Sequence, residues 1–418
     1  MNSKSKSTLT LTIKRPAYGD FSISRHKGKI VLVKGVFLPG ECVEAIIVKE
    51  HKDYISASVK ELIESAPERT RPECEYYGNC GGCHLQHIPY DLQVQLKGDI
   101  LSDCLRRIGK IDIELSYPLL PGSPWNYRLR GHYKVSGSQI GFYRGRTHEV
   151  VNISACPLMI PEVNSHYQKA GEIIRLNNMI KEFHIIQGDS AVAMVKLSSG
   201  HETPPHLEQL AVRFIEEGFS GILLINEHGE QFGYGRTYST LELAGLSYAV
   251  SPSCFFQGNW MLNVKLVDHI KNTLSPLADK DILDLYAGSG NFSLPLAEAV
   301  RIVAIEDNTS AIEIGKQSAA MNEIGNISFI KSAAEDYITD DHFDIVVMDP
   351  PRSGLKDNVT DNILTMMPER IVYVSCNPTT LARDLKKLGK KYRIESVRLV
   401  DFFPHTYHIE SLAFLRVR

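Results

Sequence analysis

Long apolar runs are missing from this sequence: no stretch reaches the roughly 18 consecutive apolar residues a membrane helix needs. No membrane partner is therefore expected. The first residues, "MNSKSKSTLTLTIKRP", are basic but lack an apolar core followed by a cleavage site, so no signal peptide and a cytoplasmic location are expected. Internal repeats and low-complexity tracts are also lacking. An overall positive charge is missing too, since the net charge is −3. The eight cysteines are unevenly spaced, which argues against a disulfide framework in a chain of 418 residues.

What is there has ordinary globular composition, 43% hydrophobic and 23% charged, in a chain long enough for two or three domains. Positive charge is concentrated at the start. Residues 1–34 hold Lys4, Lys6, Lys14, Arg15, Arg25, Lys27, Lys29 and Lys34 against Asp20, an excess that could track phosphates or simply solvate a face. From Thr8 to Leu62, short apolar runs such as "TLTLTI" and "KIVLVKGV" are broken by Gly19-Asp20, Gly28 and Pro39-Gly40. This predicts a small β-barrel over 1–66. "SAPERTRPEC" reads as a linker.

A mixed central part, 67–249, follows. "WNYRLRGHYKVSGSQIGFYRGRTHEVVNI" (125–153) predicts a hairpin or meander around Gly137-Ser138. Arg128, Arg130, Arg144 and Arg146 alternate there with aromatics, a pattern that suits phosphate contact and base stacking; a solvated strand face is the rival reading. The helical stretch near 90–120 is expected to pack on the last part of the chain.

After residue 250 the pattern changes. "DILDLY", "RIVAIE", "NISFIK", "FDIVVMD", "RIVYVS" and "RIESVRL" alternate with helical segments and predict a doubly wound α/β sheet closed by "LAFLRVR". "DLYAGSGNFS" has a strand, a Gly288–Gly290 turn and a helix expected from Asn291, and Glu306 ends the next strand. That context favours a nucleoside cofactor, with Ser293 at a third-glycine position favouring S-adenosylmethionine over NAD. "MDPPRSGL" places Asp349 at the same sheet edge, as nucleic-acid methyltransferases do. "VYVSCNPTT" adds Cys376 there, with Thr379-Thr380 offered as a helix cap.

A thiol suits one chemistry in particular. Carbon 5 of a pyrimidine is a poor nucleophile until a thiolate adds to carbon 6. A base must afterwards remove the carbon-5 proton. "FPHTYHIESL" supplies His405, His408 and Glu410, of which Glu410 is the choice, since a carboxylate partly desolvated beside the base can have a suitably raised pKa; a surface glutamate at a strand entry is the rival reading.

"SPSCFFQGN", "DLYAGSGNFSLPLA", "MDPPRSGL", "VYVSCNPTTLARDL" and "FPHTYHIES" resemble the successive motifs of the RNA uracil-5-methyltransferase family across about 251–412. The resemblance implies a Rossmann-like class I methyltransferase domain over 250–418. It implies Cys376 as nucleophile and Glu410 as proton-abstracting base. It places Gln257, Tyr286, Glu306 and Asp349 at the S-adenosylmethionine site, with Asn291 and Ser332 as further candidates. Residues 1–66 resemble the TRAM domain, an OB-like RNA-binding barrel.

"CEYYGNCGGCHLQH" with a distant "ISACPLM" is similar to the family's iron–sulfur ligand set: Cys74, Cys80, Cys83 and Cys156. Spacing alone leaves zinc open, and the resemblance favours a [4Fe–4S] cluster. The implied substrate is RNA, 23S rRNA by resemblance of this branch, with the tRNA T-loop as the rival. No obligate protein partner is evident. Two other classes remain open: an exocyclic-amine methyltransferase, which would not need Cys376, and a non-catalytic RNA-binding protein on this fold.

Overall fold

The computed structural model describes residues 7–198 and 204–418. Lys4 and Lys6 of the basic run lie outside the described residues.

The alternating "TLTLT" run forms strand Thr8–Thr12, the edge of a six-stranded sheet. Its order continues through Cys42–Glu50, Tyr54–Glu64, Lys29–Lys34 and Phe21–His26 to Arg15–Ala17. The two edge strands are neighbours in the chain, so the sheet must curl until its edges meet. Lys14 N donates to Ile23 O at 2.8 Å and Ser24 Oγ to Thr12 O at 2.7 Å across that seam. Leu11, Val31, Val33, Val43 and Ile55 fill the interior. Lys14, Arg25, Lys27 and Lys29 stay on the solvent face.

The central residues divide between two layers. A seven-stranded sheet runs in the order Val150–Asn152, Gln139–Tyr143, Arg130–Ser136, Ile180–Gln187, Ala191–Leu197, Gly221–Ile225, Gln231–Gly235. The 125–153 segment supplies its first three strands as a meander. Helices Pro161–Arg175 and Pro204–Glu216 bury Tyr167, Ile174, Leu210 and Phe214 in the core that this sheet shares. Residues 90–119 instead join the last part of the chain. Helix Tyr90–Cys104 puts Leu101 and Cys104 into the core of the C-terminal sheet, and Ser116–Leu119 becomes its eighth strand.

That sheet has the order Ile327–Lys331, Arg301–Glu306, Asp281–Leu285, Ile345–Met348, Arg370–Ser375, Glu410–Val417, Tyr392–Val400, Ser116–Leu119. The first five are parallel and almost continuously apolar at the centre, as strands covered on both faces must be. Glu410–Val417 runs antiparallel to both neighbours. The order reverses between Asp281–Leu285 and Ile345–Met348, which opens a crevice at the carboxyl ends of those strands.

One expectation fails here. Residues 286–300 form a succession of turns rather than a helix from Asn291. Pro295 lacks the N–H a helix needs, crowds the carbonyl four residues back and disfavours helical geometry at Leu294. Among the described residues no helix is long and apolar enough to cross a membrane.

Candidate active site and cysteine pocket

Strand Arg370–Ser375 delivers Cys376 to the sheet edge. Asn377, rather than Thr379 or Thr380, then caps helix Pro378–Leu388: its side chain accepts from Thr379 N at 3.0 Å. Pro378 at the first helical position, with φ already suited to a helix, moves the cap one residue past the cysteine. The register pairs Ser375 with Ser411, so Cys376 and Glu410 stand beside each other where the two antiparallel strands begin to part.

A cleft of about 1190 Å³ opens over this edge. Gln257, Tyr286, Glu306, Asp349, Cys376 and Glu410 all line it. Ser332 lines an adjoining cavity of about 690 Å³ that shares Tyr286, Glu306 and Pro351 with the cleft. Asn291 is spent elsewhere, in a reciprocal amide pair with Asn263 at 2.7 and 3.1 Å. With no helix starting at Asn291, its side chain turns back to helix Trp260–Leu274.

The glycine turn is shaped by Glu306. Its carboxylate accepts from Gly288 N at 2.8 Å and Asn308 N at 2.9 Å. Tyr286, Gly288 and Gly290 all have left-handed φ, which brings backbone rather than side chain to the cleft wall.

The cleft crowds acids together. Burial pushes the Asp349 carboxyl up to about 7. Burial, then the Asp349 charge, raises Glu410 well above the usual carboxylate range, with Arg352 opposing. The Cys376 thiol is pushed up to about 12 by burial, then by Glu410 and Asp349, again with Arg352 opposing. A cationic ligand is what such a donor set lacks, and a sulfonium has that charge.

Other contributors escaped sequence reasoning. Arg352 stood in the quoted "MDPPRSGL" but only its position in the cleft reveals its electrostatic role. Phe255 and Phe403 also line the cleft. His408, one of the candidates read in "FPHTYHIESL", has its pKa lowered to about 4 by burial and the nearby cations, and it lines the cleft too. His405 does not; its ring stacks on Trp125 at 3.8 Å. Tyr18, from the N-terminal barrel, donates its hydroxyl to Cys376 O at 3.4 Å. Ion pairs Arg15–Asp103 at 3.1 Å and Arg146–Asp20 at 2.6 Å hold that barrel edge in place.

The four cysteines from two distant segments, Cys74, Cys80, Cys83 and Cys156, line one cavity of about 580 Å³ with Phe142, Ile153, Leu158 and Met159. Asn164 fixes the Cys156 backbone through both its N–H and its carbonyl. Gln86 accepts from Cys74 N at 3.1 Å. Burial raises the Cys83 thiol to about 12 and raises Cys80 and Cys156 as well, each further raised by neighbouring thiols of the set. Yet among the described residues no three His, Cys, Asp or Glu side chains are grouped closely enough to hold a metal ion. The thiols surround a space rather than a point.

The four arginines do not act alike. Arg130 is buried, donates to Cys254 O and Phe256 O at 3.3 and 3.2 Å, and lies over the Phe256 ring at 4.7 Å. Its expected exposure to RNA is wrong, because the 254–257 loop folds over that strand face. Arg144 pairs with Glu149 at 2.9 Å. Arg146 takes Asp20, as above. Arg128 borders both the cysteine cavity and a chamber of about 810 Å³ that leads on to Gln257 and Phe403.

Residues 236–418 match the family described as tRNA (Uracil-5-)-methyltransferase. An Aquifex aeolicus protein described as "Uncharacterized RNA methyltransferase" is 35% identical, over 98% of this chain and 99% of its own. The chain belongs to the uracil-5-methyltransferase family. A Pectobacterium atrosepticum family member, 23S rRNA (uracil(1939)-C(5))-methyltransferase RlmD, is 34% identical over 94% of this chain and 90% of its own. The crystal structure of Pyrococcus abyssi tRNA (uracil-54, C5)-methyltransferase in complex with S-adenosyl-L-homocysteine superimposes with a TM-score of 0.75 at 25% identity. It covers 97% of this chain and 100% of that one.

Proposed function

We propose that this protein methylates carbon 5 of a uridine in RNA with S-adenosylmethionine, and that the RNA is 23S rRNA. The observation that carries the reading is that Cys376 and Glu410, each next to the paired Ser375 and Ser411, line one cleft with Asp349. The full-length similarity to a 23S rRNA enzyme favours that substrate over tRNA. The fold shared with a tRNA enzyme keeps the T-loop as a second reading.

Gln257, Tyr286, Glu306 and Asp349 would hold the cofactor, with Ser332 at its far end. When bound, S-adenosylmethionine supplies an electrophilic methyl and keeps the carbon–sulfur electron pair as a neutral thioether. Cys376, as thiolate, adds to carbon 6 of the uracil and makes an enolate whose carbon 5 forms the new carbon–carbon bond. Glu410 then takes the carbon-5 proton. The carbon–sulfur bond at carbon 6 breaks, which restores the ring double bond and the thiolate. The flipped or single-stranded base costs a few kcal/mol of unstacking, repaid by contacts in the cleft.

The reading also includes three working parts: 1–66 as a TRAM-type RNA-binding barrel, 67–249 as a cysteine-bearing central part, and 250–418 as the catalytic part. Cys74, Cys80, Cys83 and Cys156 would hold a [4Fe–4S] cluster. Four thiols spread around one apolar cavity suit a cluster, whereas zinc draws its four ligands to about 2.3 Å from one point. Arg128, Arg144 and Arg146 are retained as RNA contacts.

The test is a covalent trap. With S-adenosylmethionine and 5-fluorouridine-substituted RNA, proton removal is blocked, so a denaturation-resistant adduct should accumulate and vanish in Cys376→Ala. Comparing 23S fragments with tRNA names the substrate. No adduct with an RNA that is methylated when unsubstituted would overturn the thiolate mechanism.

A further inference from the structure

Glu410 is paired across the strands with Val400, and the chain between them, 401–409, leaves the sheet as a loop. That loop carries Phe403 and His408 to the cleft. Its shape therefore decides where those two wall residues stand, and it enters the sheet directly at Glu410. Its anchors come from some 300 positions earlier in the chain.

Helix Tyr90–Cys104 presents Gln93 and Lys97, four residues apart and so on one face. Lys97 Nζ donates to Asp401 Oδ1 at 2.7 Å and to Phe403 O at 2.9 Å. The two charged side chains are only 2% and 1% exposed. Gln93 Oε1 accepts from His405 N at 2.8 Å, and Gln93 Nε2 lies 3.1 Å from His405 Nδ1. The two residues that follow Cys83 continue the same brace: His84 N and Leu85 N both donate to His405 O, at 2.8 and 2.9 Å. His405 itself holds a left-handed φ of 63°, a conformation a non-glycine residue keeps only when its surroundings enforce it.

A buried ion pair is poor value as stabilisation, since apolar residues of similar volume do as well or better. What it supplies is geometry. Asp401 directly follows Val400, the partner of Glu410, so the Lys97 bond fixes the loop at its base. Gln93 and the His84–Leu85 amides fix it at its apex. Cys376 has further holders outside the loop: Asn377 donates to Arg352 O at 2.9 Å and caps the helix that follows.

We infer that Gln93 and Lys97 are positioning residues for the proton-abstraction step: they set Glu410 against the substrate carbon without touching it. This rests on the roles proposed for Cys376 and Glu410. It separates two events that share one cleft, because attack depends on Cys376 and release on Glu410. It also ties the cysteine loop mechanically to the base, through the backbone next to Cys83.

The experiment uses the full chain with ordinary uridine RNA and S-adenosylmethionine, sampled by rapid quench into denaturant. Two variants are compared with the unaltered protein: Lys97→Met combined with Asp401→Asn, which leaves no orphaned charge, and Gln93→Met. The expected result is adduct formation at the unaltered rate and release slowed by roughly 10- to 100-fold, as for a displacement of about 1 Å. Methylated protein–RNA adduct then accumulates, which a general loss of structure would not produce. Release at the unaltered rate, or attack and release slowed in equal measure, overturns the inference. Should the double variant fail to fold, Gln93→Met alone decides. The 5-fluorouridine trap on the unaltered protein separates the two failures. An adduct there with unchanged release in the variants sinks only the positioning role, and no adduct there sinks the assignment of Cys376 and Glu410 beneath it.

Discussion

Two pockets in this chain bury sulfur, and their walls differ. Around Cys376 the neighbours are carboxylates, Asp349 and Glu410, with Arg352 beside them. Around the four-cysteine cavity they are Phe142, Ile153, Leu158 and Met159, with Arg128 at the margin. Both gather groups that become anions and surround them with too little positive charge. The cleft is wide and polar-edged, so its missing cation can arrive with a ligand and leave with it. The cysteine cavity is small and mostly apolar, so the cluster proposed for it would have little reason to exchange. On the proposed reading, one pocket serves turnover and the other residence.

The sharpest way to break that contrast is to remove the sulfur from each. Cys376→Ala should lower methyl transfer by on the order of 10⁴-fold or more while leaving RNA binding and the melting curve near those of the unaltered protein. Glu410→Gln should stop at the adduct instead, visible as a shifted band on a denaturing gel without fluorouridine. If Cys376→Ala kept substantial activity, an exocyclic-amine chemistry would be the better reading.

In the other pocket, Cys83→Ser should cost the protein its bound iron and sulfide after anaerobic reconstitution, together with the associated visible absorbance. Cys254→Ser, whose thiol lies outside that cavity, should retain both. Iron content that is equal in the two variants would rule out the cavity as a cluster site. Because metal binding free energy is folding free energy, iron loss should also lower the melting temperature.

What the sequence revealed follows from the same contrast. The cleft was legible because a parallel sheet sends the carboxyl end of every strand to one edge. Glu306, Asp349 and Cys376 each lie within a residue or so of a strand end, so reading the strands places them. Local rules then failed wherever one residue vetoed a pattern. Pro295 cancelled the helix that would have aimed Asn291, and Pro378 shifted the cap from Thr379 to Asn377. Long-range packing was invisible for a different reason. Nothing near Arg130 announces that the 254–257 loop will cover it, and nothing near Lys97 announces Asp401. The strand pattern that suggested RNA contact at Arg130 is the same whether solvent or another loop lies above it.

Arg130 therefore tests how far the two pockets share a wall. It stands in the chamber between them and holds the loop that carries Gln257. Arg130→Met should cost about 2–3 kcal/mol in denaturant unfolding, through two orphaned carbonyls and a lost charge-assisted contact. It should also raise the KM for S-adenosylmethionine more than it weakens RNA binding. Arg144→Ala, exposed and paired with Glu149, should change stability by less than about 1 kcal/mol. Its effect should appear as a shallower salt dependence of RNA affinity. A reversed pattern, with Arg130→Met failing chiefly in RNA binding, would restore the surface role.

The smallest effect speaks most directly to the removable cation. With its pKa pushed up to about 12, the Cys376 thiol is almost wholly protonated near neutrality, so its alkylation should quicken about tenfold per pH unit. A unit positive charge several Å away, at an effective dielectric near 20, is worth about 2 kcal/mol, or somewhat more than one pKa unit. S-adenosylmethionine carries that charge and S-adenosylhomocysteine does not, while their shapes are nearly the same. At fixed pH, alkylation of Cys376 by a small haloacetamide should therefore run about tenfold faster with the sulfonium than with the thioether, each at saturation. The pH slope should stay the same and the whole profile move to lower pH. Cys83, in a pocket the cofactor does not enter, should show no such difference. Equal rates at Cys376 with the two ligands would mean that the cleft does not use the cofactor's charge to ready its nucleophile, and the contrast between the two pockets would lose its electrostatic basis.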